Sequence, residues 1–258
     1  MVTYYILKAL LIFIPVPKWR RSYVRYIKRK FRPTEEKMHE MAWRLWRLSL
    51  ATSDPKGIGM LDLMMDNAGV PDKYKHLFYN MPDDVQCIDC GVNVGLVSDM
   101  FLFLGARVVG FEPNPAANNI LRKKYRDDDR VKIIEAAVSD KNGEVEFCKD
   151  AGHSFDTGGN IVGMGGDSSK RDKYKVPAVR LADKLLELKE QVYILKLDVE
   201  GAEFYIIPDL IKTGAYKKCT HIVCETHARF FDDGEARLLN MEKLIEDNGI
   251  TNIHLDWV

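Results

Sequence analysis

Two groups of residues have the types and spacing to do chemistry. The first is the run Asp89-x-Gly91-x-Asn93-x-Gly95, with Glu112 following Gly91 by 21 residues. Glycines there let the backbone come close to a ligand. An acid about 20 residues further on can accept hydrogen bonds from both hydroxyls of an adenosine ribose. Dinucleotide sites usually carry G-x-G-x-x-G, whereas here Asp89 stands before the first glycine. A carboxylate is a poor neighbour for a pyrophosphate, but it suits a ligand bearing an amino group, such as the methionine part of S-adenosylmethionine. The second group is Asp198, Glu225 and His227, each at or just beyond the end of an apolar run. His227 has a suitable unperturbed pKa for a general base, with Asp198 as the other candidate base. Glu225 could orient the histidine or bind an acceptor hydroxyl. The reading adopted is a base without a metal; the alternative is an Asp-Glu-His grouping holding a divalent cation that lowers the hydroxyl pKa.

The elements that must position these groups are short apolar strands alternating with helices. Val85–Cys90 reads as a buried strand, followed by a tight turn and a helix carrying Leu96, Met100, Phe101 and Leu104. The N–H groups at that helix start favour a carboxylate or phosphate. Val108–Glu112 is a second strand, 115–126 a helix and 131–138 a third strand. Asn142-Gly143 predicts a hairpin, with Glu144–Phe147 as its returning strand. Residues 151–172 are rich in Gly, Ser and Asp, which suits a lid over an acceptor, and His153 reads as a solvated loop residue there. A short strand over Val176–Val179 and a helix over 182–189 lead to a fourth strand, Val192–Leu197, ending at Asp198. Glu200 and Glu203 open the next helix and read as structural, favouring its dipole. Ile222–Glu225 is a fifth strand, 235–247 an amphipathic helix and 250–258 a last strand. Strands alternating with helices make an α/β fold, a mostly parallel sheet with helices on both faces.

Composition sets the bounds. A chain of 258 residues, 46% hydrophobic and 29% charged, is long enough for one substantial domain with an extension. The division read from it is a basic amphipathic segment at 1–34, a helical extension at 35–82 and the enzyme domain at 83–258. Formal net charge is zero, but residues 1–34 contain nine Lys/Arg and no acid, so the body is acidic. An acidic body argues against nucleic acid as a partner. Five cysteines, an odd number in a long chain, are not a disulfide framework, which points to a reducing, cytoplasmic compartment. Cys87-x-x-Cys90 has the spacing of a redox or zinc pair, yet residues three apart on a strand point to opposite faces, so both read as structural.

Three motifs in order, D-x-G-x-N-x-G, then Phe111-Glu112-Pro113-Asn114-Pro115, then Lys196-Leu197-Asp198-Val199-Glu200-Gly201-Ala202-Glu203, resemble the FkbM family of S-adenosylmethionine-dependent methyltransferases. Ile222-Val223-Cys224-Glu225-Thr226-His227 resembles that family's fifth core strand. The likeness covers roughly residues 83–250. It implies a Rossmann-like class I methyltransferase fold and transfer of a methyl group to oxygen, commonly on sugar hydroxyls of surface glycans or on natural products. It adds Asn114 to the cofactor residues and lays Ala136, Ala137 and Val138 along the adenine edge. One departure is visible: such sheets usually finish with a helix and an antiparallel hairpin, whereas here one strand follows the last helix. Two rival classes share parts of the pattern, a nicotinamide-dependent oxidoreductase and a non-catalytic S-adenosylmethionine-binding module.

Residues 2–16 are mostly apolar but too few to span a bilayer, which takes about 20. A basic stretch with interleaved aromatics follows, from Lys18 to Lys30. An apolar run plus a polybasic patch are the two signals that hold a protein to an anionic membrane surface, and residues 1–32 are expected to do so peripherally. Thr34 then caps a predicted helix with Met38, Met41, Ala42, Leu45 and Leu48 on one face.

Overall fold

A computed structural model of the chain describes residues 58–150, 160–161 and 171–257. The expected membrane-surface segment, the helix after Thr34, and most of the 151–172 lid with His153 lie outside the described residues. By internal contacts the chain divides into residues 1–60 and 61–258. No helix among the described residues is long and apolar enough to cross a membrane.

Six strands form the main sheet, in the order β10-β9-β8-β1-β2-β3, and every pairing is parallel. They are β1 (Gln86–Cys90), β2 (Arg107–Phe111), β3 (Val131–Ile134), β8 (Val192–Leu197), β9 (Cys219–Cys224) and β10 (Ile253–His254). Parallel strands need helical crossovers, which cover both faces and bury the middle of the sheet. The helices α1 (Ile58–Asn67), α2 (Asp72–Tyr79), α3 (Leu96–Phe103), α4 (Pro115–Lys124), α5 (Leu181–Glu187), α6 (Glu203–Thr213) and α7 (Gly234–Asp247) supply the layers. Ile88 and Cys90 belong to the cluster built with Leu181, Leu185, Ile207, Leu210 and Met241 on α5, α6 and α7. Cys87 and Asp89 point the other way, where α2, α3 and the C-terminal segment meet. There Phe78 stacks on Phe101 with ring centres 5.9 Å apart, and Tyr74 lies against Trp257. All five cysteines are buried thiols outside any disulfide, and burial raises the Cys87 thiol to about 12. The pair therefore has the structural role its spacing on a strand implied.

A smaller sheet, β4-β7-β5-β6, departs from the expected pattern. The predicted third strand over 131–138 breaks at Glu135 and Ala136, so β3 stays in the main sheet and β4 (Ala137–Ser139) joins the small one. Nor is Asn142-Gly143 a hairpin. The ten-residue β7 (Arg171–Arg180), far longer than the predicted strand, lies between β4 and β5 (Gly143–Asp150), and Ala178 pairs with both Ala137 and Gly143. Asn142 serves that arrangement: its Oδ1 accepts from the Arg180 N–H at 2.8 Å and its Nδ2 donates to Asp183 at 2.7 Å. The other strand is β6 (Asn160–Ile161), antiparallel to β5. The last predicted strand is also shorter, since β10 has two residues and runs parallel to β9. The chain then continues beside β9, with the Trp257 N–H donating to the Cys224 carbonyl at 3.2 Å.

Candidate active site

β1 sits where the strand order turns, with β2 on one side and β8 on the other, and open α/β sheets bind ligands in the crevice beyond the carboxyl ends there. Gly91 makes the first turn after β1. Its φ of +81° is a left-handed conformation, and a Cβ would meet the Asp198 carbonyl oxygen at 1.9 Å, so the two strand ends can approach this closely only over glycine. Gly95 is also left-handed, with φ +86°. A Cβ there would strike Tyr125 Oη at 2.3 Å and Lys124 Nζ at 2.8 Å. Those two groups brace the turn from outside: Lys124 donates to the Val94 carbonyl at 2.7 Å and to Asp99 at 2.5 Å, and Tyr125 to Asp99 at 2.8 Å.

Within this turn Asn93 also has a positive φ, of 51°, and its N–H donates to Glu112 Oε2 at 2.7 Å. The Asn114 N–H donates to Glu112 Oε1 at 2.7 Å, while the Asn114 side chain caps α4 by accepting from Ala116 N. Each Glu112 oxygen thus keeps one lone pair for a ligand. Burial pushes its pKa up to about 7 despite those two N–H donors.

These groups open on a cleft of about 620 Å³, open solvent included. Gly91, Asn93, Glu112 and Asn114 line it from β1 and β2, Ala137 and Val138 from β4, and Phe147 and Ile161 from the small sheet. Asp198, Val199 and Glu200 line it beyond β8.

Asp89, Gly95 and Ala136 do not reach this lining. Asp89 is fully buried beneath the turn, where it accepts from Ser98 Oγ at 2.6 Å. Lys196, opposite Asp89 in the β1–β8 register, has its Nζ 3.5 Å from Asp89 Oδ1 and 3.1 Å from Asp198 Oδ2, and donates to the Gly91 carbonyl at 3.0 Å. Burial opposes the charge on Lys196, but the carboxylates of Asp198 and Asp89 outweigh it and keep the ammonium ionised.

Of the three expected catalytic residues, Asp198 lines the cleft, whereas His227 and Glu225 lie behind it. His227 is wholly buried. Glu203, in the first turn of α6 as expected, also pins this histidine: one oxygen accepts from the His227 N–H at 2.7 Å and lies 3.1 Å from Nδ1, and the other accepts from Gly201 N at 2.9 Å. A carboxylate only accepts, so Nδ1 carries the proton and Nε2 faces three more acids. It is 3.3 Å from Glu200, 3.4 Å from Glu225 and 3.7 Å from Asp198. Burial works against the imidazolium, but Glu203, Glu200 and Asp198 together raise its pKa above the ordinary value.

Glu200 is the group that sequence reasoning left out of the chemistry. It holds a φ of 53°, uncommon for a residue with a long side chain, and it lines the cleft. Burial raises its pKa to about 7, His227 opposing and Asp198 and Glu225 adding to the rise. Its spacing of two from Asp198 was the available signal; the left-handed backbone that turns it into the cleft was not readable.

An all-parallel sheet with a glycine turn after β1, an acid at the end of β2 and an acidic wall beyond β8 defines an enzyme of the Rossmann-like methyltransferase class. Residues 89–250 match the Methyltransferase FkbM domain, and the chain belongs to that family. The chain is also similar to the 2-O-methyltransferase NoeI of Sinorhizobium fredii (strain NBRC 101917 / NGR234), with 31% identity over 139 residues. That alignment takes in 49% of this chain and 57% of the relative. Membership of the FkbM family implies a methyl donor.

Proposed function

We propose that the enzyme transfers the methyl group of S-adenosylmethionine to a hydroxyl oxygen, on a sugar of a surface glycan or a similar metabolite. The observation that carries this reading is the cleft itself. One end offers Glu112, with a lone pair on each oxygen for a ribose hydroxyl, and the other offers the acidic wall of Asp198 and Glu200. Ala137 and Val138 leave an apolar, small-residue surface for the adenine. Asp89 supports the amino-acid end only indirectly, through Lys196, which holds the Gly91 carbonyl of the turn.

The cofactor arrives activated, so the protein supplies alignment and a place for one proton. The acceptor oxygen forms a bond to the methyl carbon as the carbon–sulfur bond breaks. The sulfur keeps the electron pair and becomes a neutral thioether. The hydroxyl proton passes to a carboxylate of the wall, for which Glu200 and Asp198 are placed, with His227 and Glu225 behind them. The name of the similar 2-O-methyltransferase supports oxygen as the acceptor atom. The basic, apolar residues 1–32 support a peripheral place on the cytoplasmic membrane face, suited to a membrane-attached glycan intermediate, and the acidic body speaks against nucleic acid.

The test is transfer of labelled methyl from S-adenosylmethionine to a panel of saccharides and hydroxylated metabolites. Glu200→Gln should lower turnover by about 10²–10⁴-fold, with cofactor affinity nearly intact. Binding of NAD in preference to S-adenosylmethionine would show an oxidoreductase instead. Tight cofactor binding without transfer to any acceptor class would point to a binding module.

A further inference from the structure

His227 Nε2 is buried and has no hydrogen-bond partner. This is an unusual state for a ring nitrogen, because a buried polar atom without a partner costs about 1–3 kcal/mol. Two carboxylates lie within 3.4 Å of it, yet neither is aligned to share a proton with it. Its other nitrogen is fixed by Glu203, itself fully buried. A carboxylate that orients an imidazole and sharpens the basicity of its far nitrogen is the arrangement found behind metal-binding histidines.

From these contacts we infer that Asp198, Glu200 and His227 Nε2 hold a divalent cation at the acceptor end of the cleft. One ligand atom from each of the three lies within 4.8 Å of the others. The Nε2 separations of 3.3 Å to Glu200 and 3.7 Å to Asp198 are close to the edges of a coordination shell. Donors about 2.1 Å from one ion stand roughly 3.0–3.4 Å from each other. Two carboxylates and one imidazole form a mostly oxygen donor set, which suits Mn²⁺ best among common ions: harder than thiolate-seeking metals, and more tolerant of nitrogen than Mg²⁺. Charge agrees with this. Asp198, Glu200, Glu225 and Glu203 converge on the histidine; among the described residues the cations paired with this group are Lys196, buried and shared with Asp89, and the exposed Arg229, 3.6 Å from Glu225. A second positive charge at Nε2 balances a wall that lysine serves only in part.

This inference deepens the proposed reaction and rests on it for the role of the ion. When bound, the cation lowers the pKa of a hydroxyl placed on it. With Asp198 and Glu200 on the ion, the proton of that acidified hydroxyl leaves to solvent at the open mouth of the cleft rather than to the wall.

The experiment is Mn²⁺ titration of the EDTA-treated full chain, followed by electron paramagnetic resonance, with no acceptor present. One Mn²⁺ per chain should bind, with ¹⁴N modulation of the spin echo from a coordinated imidazole. His227→Gln should abolish that modulation. Glu200→Gln should weaken binding at least tenfold, and Glu203→Gln by about 10–100-fold through loss of ring orientation. Glu187→Gln, an exposed acid elsewhere, should change nothing, and far-UV circular dichroism of each variant checks folding. Absence of Mn²⁺ binding to wild-type protein at millimolar metal overturns the inference, as does binding that lacks nitrogen modulation or ignores Glu200→Gln. Calorimetry with S-adenosylmethionine on the same metal-free protein separates the two readings. Cofactor binding without Mn²⁺ binding sinks only the cation, and Mn²⁺ binding without cofactor binding sinks only the proposed donor.

Discussion

Replacing Glu112 with glutamine tests the cofactor assignment through its pH dependence. A ribose hydroxyl donates best to the ionised carboxylate, and burial places the Glu112 pKa at about 7 in the protein without cofactor. Affinity for S-adenosylmethionine should therefore be full above pH 7 and fall as the group protonates. At one pH unit below that pKa about a tenth of the protein is ionised, so affinity drops about tenfold, or 1.4 kcal/mol. Glu112→Gln removes the charge and so the pH dependence. At pH 8 it should bind about 1.5–3 kcal/mol more weakly than wild type, the usual worth of a hydrogen bond to a charged group. Near pH 5.5 the two proteins should converge. The stability sign runs in the complementary direction. A carboxyl whose pKa is raised by folding stabilises the protein below its unfolded value and loses that contribution as pH rises through about 7. Cofactor should consequently raise Tm more at pH 8 than at pH 6. Calorimetry and thermal melts across pH 5.5–8.5 provide both readouts. Equal wild-type affinity at pH 6 and 8, or wild-type affinity in a folded Glu112→Gln at pH 8, would refute the ribose assignment.

Gly91→Ala should destabilise by about 2–4 kcal/mol, roughly 5–15 °C in Tm, since its Cβ collides with the Asp198 carbonyl at a positive φ. Gly214→Ala, at φ +74° but with open space around it, should cost only about 1 kcal/mol in the same melts. Lys196→Met should cost about 3–5 kcal/mol in urea titrations, because it leaves Asp89 buried without its cation; a cost under about 1 kcal/mol would deny that pairing. The full chain should sediment with anionic vesicles at low salt, ignore neutral ones and release partly at high salt, each basic residue in 1–32 contributing about 1 kcal/mol. Indifference to anionic vesicles would remove the membrane reading.

Much of the architecture was legible because parallel strands leave a plain record. Val192–Leu197 reads as an apolar run interrupted only by Lys196 and is a strand over those residues. The glycine turn and the acid at the end of β2 follow from spacing alone. What stayed hidden depends on long-range pairing. Asn142-Gly143 has hairpin chemistry, but β7 lies between the strands it joins, and local sequence says nothing about a strand inserted from thirty residues away. Glu200 and Glu203 look alike in sequence, two acids at a helix start. Only the left-handed φ at Glu200 and the buried contacts of Glu203 show that one faces the cleft and the other grips His227. Lys196 carries a readable signal of its own: a lysine inside an apolar strand rarely stays buried without an ionic partner.

The Asp89–Lys196 pair also bears on how the protein comes into being. Lys196 bonds the carbonyl of Gly91, 105 residues earlier in the chain. At about 5–20 residues per second, a ribosome takes roughly 5–20 seconds to deliver that lysine after the glycine turn is made. Packing α3 over β1 during this interval buries the Asp89 carboxyl without the cation that balances it in the finished sheet, so the sheet's last ionic contact waits for β8.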